Sequence, residues 1–197
     1  MFSGIVEQVG KVVKIEDKGD QCITIQTSFL KKDLKDGSSI CCNGICLTVH
    51  TIKKTGKFLY LSFDVSNETI ECTNFSSLKV GSKINLEKSL KVGDEISGHF
   101  VFGHVDTKVK LKSIRKVGKS YIIEFSLPNK IKKFLTKKGS ISINGISLTV
   151  NKVTKDSFYA NIVDYTWNHT NFKDIKIRDI VNIEVDMLAR YVTSSKN

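Results

Sequence analysis

Apolar and polar residues alternate along most of the chain, in short runs separated by turn residues. Residues 9–15 and 21–27 alternate on either side of a polar turn at 17–20, and residues 58–65 form a third run of this kind. Because successive side chains of a strand point to opposite faces, these runs predict short β-strands with one buried face. A single helical turn is predicted at 29–34.

One strand pattern occurs twice. Residues 43–49 (Asn-Gly-Ile-Cys-Leu-Thr-Val) and 144–150 (Asn-Gly-Ile-Ser-Leu-Thr-Val) are identical at six of seven positions. The Asn-Gly pair favours the positive φ angles of a tight hairpin turn or bulge. After the turn, Ile, Leu and Val share the face that a core requires, and Cys46 or Ser147 shares the other face with a threonine. This polar face is therefore available to a ligand or to another subunit.

The second half of the chain repeats the order of the first. In the second half, strands are predicted at 108–114, 120–127 and 158–163, with a short helix within 128–137. Polar exits, where the chain leaves a strand through polar residues, are predicted at 66–69 in the first half and at 164–166 in the second. The motif Ile84-Asn85-Leu86-Glu87 of the last strand recurs as Val181-Asn182-Ile183-Glu184. A repeat of half the length indicates two similar domains. Barrel closure removes sheet edges that would otherwise aggregate. We therefore predict an all-β chain with two homologous six-stranded Greek-key β-barrels in tandem.

The predicted domains are an N-terminal barrel at 1–96, a C-terminal barrel at 97–185 and a short C-terminal helix at 186–197. Asp186 can cap that helix, in which Leu188, Tyr191 and Val192 form one apolar stripe. A stripe of this kind outside both barrels needs a partner.

Composition favours a globular protein: 40% of residues are hydrophobic, 26% are charged, and there is one proline. The net charge of +11 is compatible with nucleic-acid binding, but only three of the 31 basic residues are arginine and the lysines are scattered. A solvated lysine-rich surface is the favoured interpretation, and no nucleic-acid partner is expected. The sequence shows no secretory signal and no apolar run of membrane-spanning length, so we expect a cytoplasmic protein without a membrane partner.

The cysteines favour a reducing compartment. There are five, an odd number, and all lie in the first half, at Cys22, Cys41, Cys42, Cys46 and Cys72. The spacing Cys42-x3-Cys46-x3-His50 could be taken for a zinc motif, but along one extended strand these ligands would spread over more than about 10 Å. Buried or active-site thiols are the preferred interpretation.

Four motifs together resemble one known family. They are the opening Met-Phe-Ser-Gly-Ile-Val at 1–6, the paired strands, the segment Asp-Glu-Ile-Ser-Gly-His-Phe-Val-Phe-Gly-His-Val-Asp at 94–106, and the ending Val-Asn-Ile-Glu-Val-Asp at 181–186. In this order and spacing, they resemble riboflavin synthases of the duplicated-barrel type.

The resemblance implies a transferase that makes riboflavin from two molecules of 6,7-dimethyl-8-ribityllumazine and releases 5-amino-6-ribitylaminopyrimidinedione, the final step of riboflavin biosynthesis. It implies no metal and no cofactor. It also implies a homotrimer with active sites between subunits, and lumazine synthase is a candidate partner. A non-catalytic lumazine or flavin carrier of the same fold is the alternative, but such carriers lose polar pocket residues that this chain retains.

The resemblance assigns a substrate pocket to each barrel. In the first barrel it comprises Gly4, Ile5, Val6, Ser39, Cys46, Leu47, Thr48, Asp64, Val65, Ser66, Asn67, Glu68 and Thr69. In the second it comprises Gly103, His104, Val105, Lys138, Ser147, Leu148, Thr149, Ile162, Val163, Asp164, Tyr165, Thr166 and Trp167.

In the reaction that the resemblance implies, catalysis begins with removal of a proton from the 7-methyl group of the substrate. His104, Ser147 and Thr149 are the predicted proton carriers, because an imidazole titrates near neutrality and hydroxyls can relay protons. Cys46 replaces Ser147 in the first half, as expected if one pocket holds the donor and the other the acceptor. Asp186 is included as catalytic by its match to the family, whereas His99 is expected to be a framework residue.

Overall fold

A computed structural model describes residues 1–18 and 20–195. Gly19 of the predicted turn at 17–20 and residues 196–197 of the predicted C-terminal segment lie outside the described residues. The first half forms a closed six-stranded barrel with the order β1-β2-β5-β4-β3-β6. Its strands are β1 (Gln8–Lys18), β2 (Asp20–Thr27), β3 (Ser39–Cys42), β4 (Ile45–Thr55), β5 (Phe58–Val65) and β6 (Lys83–Lys88).

The second half forms another closed barrel, and all strand pairs in both barrels are antiparallel. Its strands are β7 (Thr107–Val117), β8 (Ser120–Ser126), β9 (Ser140–Ile143), β10 (Ile146–Val153), β11 (Ser157–Val163) and β12 (Ile180–Val185). Their order around the barrel is β7-β8-β11-β10-β9-β12, which repeats that of the first barrel. The predicted fold class is confirmed.

Helices are short and lie between or after the strands. They are α1 (Asn67–Cys72), α2 (Asn129–Lys132), α3 (Asp164–His169) and α4 (Met187–Ser194). The polar exits predicted at 66–69 and 164–166 are not loops, because Ser66 caps α1, residues 67–69 begin it, and residues 164–166 begin α3. Ser66 caps α1 by accepting a hydrogen bond from the Thr69 N–H at 3.3 Å, so its polar side chain starts a helix instead of a loop. None of the helices in the described part of the chain has the length and hydropathy of a membrane span.

The repeated strands are built as their alternation predicts. Ile45, Leu47 and Val49 are buried in the first core, whereas Cys46 is half-buried and Thr48 is exposed on the other face. The second copy has the same pattern. Both Asn-Gly turns have positive φ at each residue, +49° and +82° in the first and +49° and +78° in the second. These angles are typical of the type I′ hairpin turn.

The two barrels meet at these turns around a local two-fold axis. A Cβ on Gly44 would lie 2.8 Å from the Gly145 nitrogen, so the contact requires glycine. Six asparagine side chains in three equivalent pairs join the barrels around it: Asn43 and Asn144, Asn85 and Asn182, and Asn74 and Asn171. The amides satisfy one another's donors and acceptors, and a bridge between Phe2 and Val101 extends the interface.

Candidate functional site

In each barrel, the repeated strand that carries Cys46 or Ser147 is hydrogen-bonded to the segment that opens the other barrel. These opening segments are residues 3–6 for the first barrel and residues 102–105 for the second. The Cys46 N–H donates to the Gly103 carbonyl at 3.0 Å, and the Ser147 N–H donates to the Gly4 carbonyl at 2.8 Å. A Cβ on Gly4 would lie 2.7 Å from Ser147 Cβ, so this approach needs glycine. The resemblance groups Gly4 with Cys46, but the structure brings Gly4 against Ser147 and Gly103 against Cys46.

Two buried carboxylates hold these opening segments. Glu87 accepts from the N–H groups of Ser3 and Gly4 at 2.7 and 3.1 Å, and Glu184 accepts from those of Phe102, Gly103 and His104 at 2.6 to 2.8 Å. Burial raises the pKa of both carboxyl groups, and the N–H donors counteract part of that increase. The glutamate of each repeated Asn-x-Glu motif is thus a structural clamp for a segment of the site.

Ser147 contacts His99, for which the sequence predicted only a framework role. The His99 Nδ1 lies 2.6 Å from Ser147 Oγ, and the imidazole is half-buried. Burial lowers the pKa of His99 below its usual value of 6.5, while the Asp186 carboxylate acts in the opposite direction. A neutral imidazole can accept the Ser147 hydroxyl proton, which is the arrangement of a general base. His99 lies in the linker between the barrels, so the internal repeat gave no indication of its role.

The other residues predicted to be catalytic in this barrel lie in its opening segment, on β10 and at the start of α4. His104 is fixed through its backbone N–H, and its exposed imidazole is tilted against the Phe102 ring with centroids 6.3 Å apart. Thr149 is exposed on β10, opposite Ser140 of β9. Asp186 caps α4 by accepting from the Leu188 N–H at 2.9 Å, and its charge also acts on His99.

Part of the predicted first pocket lines a cavity of about 760 Å³. Ile5 and Ser39 contribute to its wall together with Glu7, Glu87 and Lys88. This volume lies within the range of small-molecule sites. Ser39 is paired with Thr48 across β3 and β4, which places the polar end of the repeated strand next to the cavity wall.

The remaining first-barrel residues form the junction between β5 and α1. Asp64 is exposed at the end of β5 and approaches His50 Nε2 at 3.5 Å. Asn67 and Glu68 are exposed on the first turn of α1, and Thr69 is half-buried.

In the second barrel, Lys138 has the strained φ of +72° and donates its N–H to the Val150 carbonyl at 2.7 Å. The equivalent bond in the first barrel is made by Gly37, at φ +83°. Trp167 stacks on Tyr121 with ring centroids 3.8 Å apart, and the exposed Tyr165 stacks on His169 at 4.0 Å. Aromatic faces are therefore present on the α3 side of this barrel, next to Val163, Asp164 and Thr166.

Four predicted pocket residues have side chains buried in the barrel cores instead of facing a ligand: Leu47, Val65, Leu148 and Ile162. Strand alternation turns them inward, so only their backbone groups can contact a substrate. Val6 packs against the second core and Val105 against the first, which repeats the exchange made by Gly4 and Gly103.

Comparisons with known proteins agree with this architecture. The lumazine binding domain model matches residues 3–89 and 102–186, one copy for each barrel. Riboflavin synthase of Photobacterium phosphoreum is 42% identical over 98% of this chain and 87% of its own length. That of Brucella abortus (strain 2308) is 36% identical over 97% of this chain and 96% of its own length.

Solved structures of LumP complexed with riboflavin and with 6,7-dimethyl-8-(1'-D-ribityl) lumazine superimpose with TM-scores of 0.81 and 0.79. They are 26% and 25% identical to this chain, and each alignment covers 94% of this chain and 99% of LumP. The duplicated barrels, the paired strands and the full-length similarity place the chain in the riboflavin synthase family.

Proposed function

We propose that this protein is a riboflavin synthase, a transferase that moves a four-carbon unit between two molecules of 6,7-dimethyl-8-ribityllumazine. The products are riboflavin and 5-amino-6-ribitylaminopyrimidinedione. The observation that carries the proposal is the pair of equivalent polar strand sites, at Cys46 and Ser147, in a chain of this family. Two similar sites suit a reaction between two copies of one substrate.

The Ser147 and His99 pair supplies the proton transfer in this proposal. The reaction needs a base to remove a proton from the 7-methyl group, and the neutral His99 activates the Ser147 hydroxyl at 2.6 Å. Cys46 stands at the equivalent place in the first barrel, where a thiol replaces the hydroxyl. This difference separates the donor and acceptor roles of the two barrels.

The assembly proposed is a homotrimer in the cytoplasm, with each active site between the first barrel of one subunit and the second barrel of another. Exposed apolar side chains support it. Leu188, Tyr191 and Val192 on α4 are 64%, 69% and 57% exposed, and Tyr165 beside the second pocket is 71% exposed. We also propose lumazine synthase as a partner and 1–96, 97–185 and 186–197 as the functional units.

A carrier of lumazine or flavin is the second function compatible with this fold, since LumP structures hold such ligands. The Ser147 and His99 contact favours the enzyme, because a carrier has no use for a base aligned with a hydroxyl. The two functions can be distinguished by incubating the purified protein with the lumazine and following the absorbance of riboflavin. Steady formation of riboflavin supports the enzyme, and stoichiometric binding without product refutes it.

The choice of base is tested by a matched pair of variants, His99→Gln and His104→Gln. We expect His99→Gln and Ser147→Ala to lower kcat about 100-fold, with lumazine affinity changed much less. His104→Gln serves as the comparison. A larger loss of kcat in His104→Gln than in His99→Gln would assign the proton transfer to His104.

A further inference from the structure

Three potential metal ligands converge on the outer face of the first barrel. Cys22 on β2, His50 on β4 and Asp64 on β5 place one ligand atom each within 4.8 Å of the others. Among the described residues, no other group of three metal-binding side chains converges in this way. The strand register explains the meeting: Cys22 pairs directly with Asp64, and His50 lies at the bulge where β4 pairs with β5.

Two of the three separations between the ligand atoms match those around a tetrahedral ion, and the third is within 4.8 Å. Cys22 Sγ lies 3.6 Å from His50 Nε2, and His50 Nε2 lies 3.5 Å from Asp64 Oδ1. Zinc bonds of about 2.3 Å to sulfur and about 2.0 to 2.2 Å to nitrogen and oxygen give tetrahedral edges of about 3.3 to 3.6 Å. The two measured separations are therefore those expected between ligands of one zinc ion.

A neighbouring hydroxyl orients the imidazole. Thr51 Oγ1 lies 2.9 Å from His50 Nδ1 and can accept its proton, which leaves the Nε2 lone pair directed at Cys22 and Asp64. Metal-bound histidines generally donate their second ring N–H to such a partner, which fixes the tautomer. A thiolate, an imidazole and a carboxylate together suit zinc or cobalt better than calcium or magnesium, which prefer oxygen ligands.

The second barrel provides an internal comparison. Strand pairing aligns Cys22 and Asp64 with Ile122 and Asn161, and the bulge residue His50 with Asn151. These three residues offer no thiolate, imidazole or carboxylate, although the surrounding strands are equivalent. The set of ligands is thus specific to the first barrel and does not follow from the barrel geometry.

We propose that Cys22, His50 and Asp64 bind one zinc ion, with the fourth coordination position open to water. Binding releases the Cys22 thiol proton to solvent, because the thiolate is the ligand. The site is accessible, since His50 and Asp64 are exposed. It is separate from the Ser147 and His99 pair, although Asp64 also belongs to the predicted first substrate pocket. The proposal does not depend on the proposed enzymatic function.

Cobalt titration of the metal-free full-length protein tests the site. We expect one equivalent of Co²⁺ per chain, a near-ultraviolet thiolate-to-cobalt band, and loss of that band when Zn²⁺ is added. Cys22→Ser should remove the band, and His50→Gln and Asp64→Asn should each weaken Co²⁺ binding at least about tenfold. Thr51→Val should weaken binding and retain the band.

Two control variants share the chemistry but lie elsewhere. Cys72 is an exposed thiol outside the cluster, and His169 is an exposed imidazole that contacts the Tyr165 carbonyl. Cys72→Ser and His169→Gln should bind Co²⁺ as the parent does. Absence of Co²⁺ binding in the parent, or a band that survives in Cys22→Ser, would overturn the proposal. Circular dichroism checks that each variant is folded. If Cys22→Ser does not fold, His50→Gln provides the decisive test, because His50 is exposed.

Discussion

The asparagine network between the barrels makes a quantitative prediction for Asn182→Ala. The Asn182 side chain is 1% exposed. Its oxygen accepts from the Asn74 N–H at 2.7 Å, and its amide nitrogen donates to the Asn43 carbonyl at 2.9 Å and to Asn74 Oδ1 at 3.0 Å. Truncation leaves the Asn74 N–H and the Asn43 carbonyl buried without these partners.

Each buried polar group left unsatisfied costs about 1 to 3 kcal/mol. With two backbone groups affected, we expect Asn182→Ala to lower the free energy of unfolding by about 3 kcal/mol. Asn85 makes the equivalent bonds to Asn171 and to the Asn144 carbonyl, at 2.7 to 2.9 Å. Asn85→Ala should therefore have an effect of the same size.

Urea denaturation followed by fluorescence measures this effect. Trp167 is the single tryptophan, and it stacks on Tyr121 in the second barrel, so its emission reports unfolding of that barrel. The control is Asn168→Ala, because Asn168 is exposed and its side chain donates to the nearby Asp164 carbonyl within the same barrel. A loss below about 1 kcal/mol in Asn182→Ala, equal to that of the control, would refute the view that these bonds hold the barrels together.

Three further predictions concern the site and the assembly. Burial lowers the pKa of His99 below its usual value of 6.5, so the folded protein takes up a proton there less readily than the unfolded chain. The contribution of neutral His99 to stability is therefore complete above pH 6.5 and is lost as the pH falls, which pH-denaturation profiles measure. The acid limb of the kcat profile should likewise lie below pH 6.5 and change in His99→Gln. Lys138→Gly should raise the free energy of unfolding by about 1 kcal/mol, because glycine adopts the φ of +72° without strain, and it should weaken lumazine binding. If a fluorescence titration gives the variant the same lumazine affinity as the parent, Lys138 is excluded from the pocket. Leu188→Lys with Tyr191→Lys should dissociate the proposed trimer in sedimentation and reduce activity per chain, and full activity from a demonstrated monomer would contradict a shared active site.

The sequence predicted the parts of this fold that depend on local pattern. Alternation in residues 45–49 indicated which side chains enter the core, and the repeat indicated that the second barrel copies the first. The contacts between barrels could not be predicted in this way. Asn43 and Asn182 are far apart in sequence, and nothing local to either residue indicates that the other will satisfy its amide.

The site illustrates the same limit. Ser147 was identified because it differs from Cys46 within a repeated motif, whereas His99 lies in a linker that occurs once and has no equivalent for comparison. The exchange of Gly4 and Gly103 between barrels was also missed, because a repeat aligns each segment with its own barrel. Only the folded chain reveals that the opening segment of one barrel is hydrogen-bonded to the strand of the other.

That exchange has a consequence for how the chain is synthesised. When the first barrel has left the ribosome, the Cys46 N–H still lacks the Gly103 carbonyl, and Asn43 and Asn85 still lack Asn182 and Asn171. The surface presented is self-complementary, as in a two-fold dimer, so two neighbouring nascent chains could satisfy each other. Once the second barrel is complete, it competes with neighbouring chains for the exposed surface of the first barrel. It is favoured because it is tethered to the first barrel and so has the higher effective concentration.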